Sequence, residues 1–224
     1  MHTCEALILK TVRFRAKDQV VTAFSGSRGL FSFFMKGVKT RPMLEPLMLC
    51  ELVTAESRGE LERLLDLTVL KRYELLRLSL SKLKAASQMA SLVLKTQLPL
   101  KPAQALYTCM LAHLDWLAHG ESSQHTLASF HIKLLKCEGL IKLSKACTQC
   151  NKAAKAIQKG ETLCPEHLDP FSGGISIESF EALLQLYELK QFKAIESIFL
   201  PDDLLKDIRI LFEELTEAHL QAKS

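Results

Sequence analysis

Four residues late in the 224-residue chain restrict its fold more than any other feature. Cys147-Thr148-Gln149-Cys150 and Cys164-Pro165-Glu166-His167 form two short hooks, separated by thirteen residues. The two-residue gap inside each hook lets the chain turn so that both outer side chains face one point. Three thiols and one imidazole make the donor set of a closed tetrahedral site, and thiolates select zinc over magnesium or calcium. The spacing predicts one structural Zn²⁺ per chain, held by Cys147, Cys150, Cys164 and His167. Four protein ligands leave no open position for a catalytic water. The zinc deaminase pattern, His-x-Glu ahead of Pro-Cys-x-x-Cys, is absent.

The chain has seven cysteines, an odd number. Nothing in Met1-His2-Thr3-Cys4-Glu5 has the basic-then-apolar layout of a signal peptide, and no apolar run approaches the ~18–20 residues of a membrane span. A cytosolic chain is expected, where disulfides are rare. Cys4, Cys50, Cys109 and Cys137 lie in apolar runs and read as small core residues.

The net charge of +4 conceals an uneven layout. Residues 1–80 carry 13 basic and 9 acidic side chains, residues 81–170 carry 11 and 6, and residues 171–224 carry 5 and 10. A basic body therefore precedes an acidic tail, and the front of the chain suits a polyanionic partner. Between Gly139 and Gly160 every charged residue is a lysine: Lys142, Lys145, Lys152, Lys155 and Lys159. These are candidate phosphate contacts, although a solvated loop would carry the same lysines simply for solubility.

Residues 4–70 read as short apolar stretches between polar breaks. Val20 to Phe24, the Ser25-Gly26-Ser27-Arg28-Gly29 turn and Leu30 to Met35 have hairpin spacing. With Ala6 to Leu9, Leu47 to Thr54 and Leu61 to Leu70 they give about five strands, enough for a small barrel. The last stretch is short enough to be helical by periodicity alone. From Tyr73 the period becomes helical. Leu98-Pro99-Leu100-Lys101-Pro102 breaks a first helix, Ala105 to His119 is a second, Thr126 to Cys137 a third, and Gly173-Gly174 is a turn. Ser179 to Leu189 and Asp202 to Leu220 follow as helices. The expected architecture is α+β in two domains, with a five-stranded barrel over 1–75 and a helical domain over 76–224 into which the zinc segment is inserted.

Within the first 45 positions Lys10, Arg13, Arg15, Lys17, Arg28, Lys36, Lys39 and Arg41 face only Glu5, Asp18 and Glu45. Phe14, Phe24, Phe31, Phe33 and Phe34 are interleaved with them. Bases and aromatics on a small barrel suit single strands, since charge follows phosphates and rings stack on bases. Phe31, Phe33 and Met35 alternate on one strand face and read as core. Phe14, between Arg13 and Arg15, is the exposed candidate. Gly26-Ser27-Arg28-Gly29 matches the KH-domain clamp, but that clamp joins helices and these flanks are strands. Gly37-Val38-Lys39-Thr40 lacks the earlier glycine and the adjacent Gly-Lys pair of a phosphate loop. Trp116 reads as core, and His113, His119, His125 and His131 show no ligand spacing. No nucleophile–base set or carboxylate pair stands out.

The order of these parts resembles the bacterial RecO family of DNA repair and recombination mediators. The likeness lies in Ala6-Leu7-Ile8-Leu9-Lys10, Val20 to Ser25 with Arg28-Gly29-Leu30, Lys36-Gly37-Val38-Lys39, Leu44-Glu45-Pro46-Leu47 with Glu51-Leu52, and Phe130 to Leu135 with Glu138-Gly139. Cys147, Cys150, Cys164 and His167 stand where that family's zinc ligands lie, with His167 where many members have cysteine. The resemblance spans roughly residues 5–175, and residues 176–224 match only by helical pattern. It implies an OB-fold N-terminal domain, a helical C-terminal domain and no catalysis of a covalent step. It also implies binding of single- and double-stranded DNA, annealing of complementary strands, and a cytoplasmic, nucleoid-associated location. The implied partners are RecR, the acidic tail of single-strand binding protein and, indirectly, RecA. A zinc-containing OB-fold RNA-binding or regulatory protein is the alternative, and a metalloenzyme a third.

Overall fold

The computed structural model describes residues 1–14, 18–37, 43–56, 61–169 and 177–221. Two compact units divide the chain, Met1–His119 and Gly120–Ser224.

The first unit is built on a closed barrel of five strands. These are β1 (His2–Phe14), β2 (Asp18–Ser25), β3 (Gly29–Met35), β4 (Leu49–Ala55) and β5 (Glu62–Lys71). The strand order is β1-β2-β3-β5-β4, closing back on β1. All neighbours are antiparallel except β3 and β5, which meet in a short parallel pairing of Phe33 with Glu62 and Phe34 with Arg63. Closure removes the free sheet edges that would otherwise invite pairing with other chains. Alternation puts Ala6, Ile8, Val21, Ala23, Phe31, Phe33, Met35, Cys50, Leu52 and Leu64 inside, with Leu44 and Met48 plugging the interior. Phe31, Phe33 and Met35 are core, as their alternation predicts. Leu61 to Leu70, which periodicity leaves open between helix and strand, forms strand β5.

Helices α1 (Glu74–Arg77), α2 (Leu80–Thr96) and α3 (Gln104–His119) complete this unit. The α2 helix buries Ala85, Ala86, Met89, Ala90 and Val93, one stripe at helical spacing. The α3 helix covers part of the barrel's outside. There Phe24 meets Tyr107 edge-on at 5.7 Å, and the Tyr107 hydroxyl donates to Glu5 Oε1 at 2.9 Å. Burial, and then the Glu5 carboxylate, push the Tyr107 phenol up, so it stays a donor. The 98–104 connection is tied to the glycine turn. Leu100 N–H donates to Leu30 O at 2.7 Å and Ala103 N–H to Gly26 O at 3.0 Å. Gly29 has φ +71°, and a Cβ there would lie 2.0 Å from the Lys101 carbonyl oxygen. Glycine is required at this position for both reasons.

The second unit is organised around α4 (Ser123–Cys137). This helix buries Thr126, Ala128, Ser129, Phe130, His131, Ile132, Leu134 and Leu135, so its sides are enclosed almost all round. The Ser122 hydroxyl caps it, accepting from His125 N–H at 3.3 Å. Around it lie α5 (Ile177–Glu188), α6 (Phe192–Glu196) and α7 (Asp202–Gln221). The α7 helix turns Leu204, Ile208, Leu211, Phe212 and Thr216 inward. Trp116 is only half-buried. Cys137, expected in the core, is exposed at the last position of α4, where the helix surface turns to solvent. Gly173-Gly174 lies outside the described residues. Among the described residues no helix is long and apolar enough to cross a membrane.

Candidate metal centre and nucleic-acid interface

The two hooks are brought together by a small hairpin, β6 (Ala156–Gln158) and β7 (Glu161–Leu163). Its two-residue turn is Lys159-Gly160, with φ of +50° and +81°. Positive φ at both central residues is the turn that matches the twist of a hairpin. The first hook closes at its own turn. Cys147 N–H donates to Lys152 O at 2.7 Å, and Asn151, in the left-handed region at φ +63°, donates back to Cys147 O at 3.0 Å. In the second hook His167 N–H donates to Cys164 O at 3.0 Å. The hooks are pinned by Thr148 N–H to Thr162 O at 2.9 Å and Thr162 Oγ1 to Ala146 O at 2.9 Å.

The ligand atoms of Cys147, Cys150, Cys164 and His167 all lie within 4.8 Å of one another. Cys150 Sγ and Cys164 Sγ are 3.6 Å apart. His167 Nδ1 stands 3.6 Å from Cys147 Sγ and 3.3 Å from Cys164 Sγ. An ion about 2.3 Å from each sulfur and about 2.1 Å from the nitrogen gives tetrahedral edges of about 3.5–3.8 Å. The donor set therefore fits a tetrahedral metal in both kind and spacing. Desolvation alone would raise the Cys147 thiol. Backbone hydrogen bonds from Cys164, Gln149 and Cys150, with His167, bring it down to about 6. For Cys150 the Lys152 backbone hydrogen bond is outweighed by burial and by the neighbouring sulfurs, which push it up. A cation at the centre would relieve that crowding of sulfurs.

Lys142, Lys145, Lys152, Lys155 and Lys159 are all exposed. Lys152 is partnered: its Nζ donates to both carboxylate oxygens of Glu166, at 2.8 and 2.7 Å, linking one hook to the other.

On the barrel, Lys10, Arg13 and Lys36 are exposed near one end of β1–β3. Arg15, Lys17, Lys39 and Arg41 lie outside the described residues. Arg28 does a different job. Its guanidinium donates to both oxygens of Glu62 and to Thr54 Oγ1 at 3.3 Å, and sits 4.2 Å above the Phe31 ring. Its side chain is 14% exposed. Burial alone would raise the Glu62 carboxyl, but the hydrogen bonds from Arg28 and Thr54 hold it below the ordinary carboxylate range.

Phe14 is half-exposed and meets Phe34 edge-on at 6.1 Å. Sequence reasoning singles out Phe14 but passes over Phe34. The signal is present, because a strand whose 31, 33 and 35 positions are core must turn 34 outward. The Arg28–Glu62 and Lys152–Glu166 pairs have no local signal, since their members are 34 and 14 residues apart.

Comparison with known proteins matches two family models, the recombination protein O N-terminal region over residues 1–73 and its C-terminal region over residues 77–224. A DNA repair protein RecO of Chlamydia pneumoniae is 26% identical over 97% of this chain and 90% of its own length. That of Streptococcus gordonii is 21% identical over 99% and 90%. That of Chlamydia trachomatis serovar D is 23% identical over 79% and 76%. A five-stranded barrel, a helical region and a Cys₃His cluster arrive in the same chain that both models cover end to end: the protein belongs to the RecO family.

Proposed function

We propose that this protein is a DNA-binding mediator of recombinational repair. It anneals complementary single strands and, with RecR, helps load RecA onto DNA coated by single-strand binding protein. The reading is carried by the family match across nearly the whole chain. The exposed bases of the barrel, Lys10, Arg13 and Lys36, and of the metal loop, Lys142, Lys145 and Lys155, support it. Arg15, Lys17, Lys39 and Arg41 join the proposed interface on their place in the sequence alone. Arg28 and Lys152 already have carboxylate partners, so they contribute less to phosphate binding. The acidic tail of single-strand binding protein and double-stranded DNA are further ligands in this reading, and the setting is the cytoplasm at the nucleoid.

Annealing requires no covalent chemistry. Two strands repel through their phosphates, and a basic surface screens that repulsion while raising their local concentration. Contacts that ignore base identity let the strands slide until they pair. The metal in this reading is a structural Zn²⁺, one per chain, on Cys147, Cys150, Cys164 and His167. It would supply folding energy to a loop that has little core of its own.

The test is equilibrium binding of a labelled single strand, DNA against RNA, through a salt series. Binding to DNA that weakens steeply with salt supports the proposal. Preference for RNA favours an RNA-binding regulator, and no binding at low salt overturns both.

A further inference from the structure

Two stretches of this chain leave large apolar side chains in water and carry opposite charge. Residues 70–84 hold Lys71, Arg72, Arg77, Lys82 and Lys84 against the single acid Glu74. Their leucines do not all turn inward. Leu76 is fully buried, whereas Leu78 and Leu80 are 82% and 83% exposed, and Leu70 and Leu75 are nearly half exposed. Residues 202–217, on α7, hold six acids and two bases. Ile210 stands on the outer side of that helix, 53% exposed. Helical spacing puts Lys206, Glu213 and Glu214 beside it, with Asp203 and Glu217 one turn further on. Lys206 is engaged by Asp203 at 3.1 Å, so acids dominate this face. Phe199, just ahead of the helix, is 83% exposed.

The basic stretch has room to receive such side chains. An open groove of about 650 Å³ runs along Leu70, Lys71, Arg72, Tyr73, Leu75 and His119. Tyr73 is its fixed, buried member, held in the left-handed region at φ +51°. Its hydroxyl is hydrogen-bonded to Asp115, and Lys71 Nζ pairs with the same carboxylate while standing 4.6 Å over the Tyr73 ring. Arg77 is likewise paired, with Glu45 at 2.9 Å. The charge of this face therefore rests most on Arg72 and Lys84, both exposed. Leucines offer a nucleic-acid strand no ring to stack on, so the apolar part of the face calls for a protein. The cations call for an acidic one, and an acidic, apolar face is present on the chain itself.

We propose that the groove of one copy receives the Ile210 face of α7 from a second copy of this chain. Leu70, Leu75, Leu78 and Leu80 cover Ile210 and Phe199, while Arg72 and Lys84 meet Glu213, Glu214 and Glu217. Opposite charges steer the encounter, and the apolar contact at the centre holds it. Each copy carries both surfaces, so the contact either repeats head to tail or is exchanged twice in a closed dimer.

Sedimentation equilibrium of the full chain without DNA, from about 1 μM to about 300 μM, reads the contact. The weight-average mass should rise with concentration, and the rise should shrink as salt is added. Leu78→Asp should weaken the association by about tenfold or more. Arg72→Glu with Lys84→Glu should do the same, and so should Glu213→Lys with Glu214→Lys. Mixing these two charge-reversed proteins should restore association, because one supplies an acidic groove and the other a basic helix. Misfolded variants would not recover on mixing. A mass that stays at one chain throughout, or no recovery on mixing, overturns the contact. A labelled acidic-tail peptide of single-strand binding protein that binds the unmodified protein but not Leu78→Asp, with no rise in mass, would assign the face to that peptide and overturn the contact too.

Discussion

Arg28 at the head of β3 grips Glu62 at the start of β5, where the barrel closes through its one parallel pairing. The guanidinium reaches one carboxylate oxygen at 3.2 Å through Nη1 and the other through Nη2. Both side chains are largely buried, at 14% and 16% exposure. Parallel pairing here is only two residues long, so the ion pair supplies a fastening that the ladder does not.

Glu62→Gln should therefore destabilise the protein by about 1.5–3 kcal/mol in chemical denaturation, the range for a hydrogen bond to a charged group. The pH dependence has a definite sign. The folded carboxyl is depressed, so its stabilisation is present at neutral pH and is lost as pH falls through the folded value. The acid limb of the unmodified protein should flatten in Glu62→Gln. A variant as stable as the unmodified protein at pH 7 would remove this role.

Two glycines in the left-handed region separate strain from clash. Gly139 has φ +70° with open space around its Cβ direction, whereas at Gly29 a Cβ meets the Lys101 backbone. Gly139→Ala should cost about 1–2 kcal/mol, the left-handed penalty alone. Gly29→Ala should cost clearly more, and the difference is measured by thermal or denaturant melting of the two variants. Equal losses would mean that the turn and the 98–104 connection separate easily.

Metal content should be about one zinc per chain, and Cys147→Ser with Cys150→Ser should abolish it. The amide protons of residues 147–167 should then exchange faster, because the apolar cluster packed around the ligands is small, Cys147, Leu163 and Cys164 with Cys150 and Leu168 against it. Full zinc content in the double variant, or unchanged exchange after chelation, would dismiss the centre.

Neutralising Lys10, Arg13 and Lys36 to alanine should weaken single-strand binding. It should also flatten the dependence of log affinity on log salt by up to about 2, near 0.7 for each phosphate that is no longer neutralised. An unchanged slope would move the interface away from this end of the barrel.

What is legible in the sequence follows the range of the interactions. The ligand set of Cys147, Cys150, Cys164 and His167 is readable because each hook is local and its chemistry is selective. The barrel strands are readable from alternation, as Phe31, Phe33 and Met35 illustrate. The β6–β7 hairpin escapes such reading because three-residue strands carry no periodicity, though Lys159-Gly160 is a turn signal. Cys137 is misplaced by it because apolar neighbours in sequence do not share one face of a helix. The pairing of Arg28 with Glu62 depends on barrel closure, and no local pattern reports that.

Strand annealing is the activity proposed for this chain, and fluorescence-followed annealing of complementary oligonucleotides across a salt series measures it. The protein should accelerate pairing over the protein-free rate at low salt, with the acceleration fading as salt rises and reduced in the Lys10, Arg13, Lys36 triple-alanine variant. Annealing at the protein-free rate at every salt concentration would contradict it.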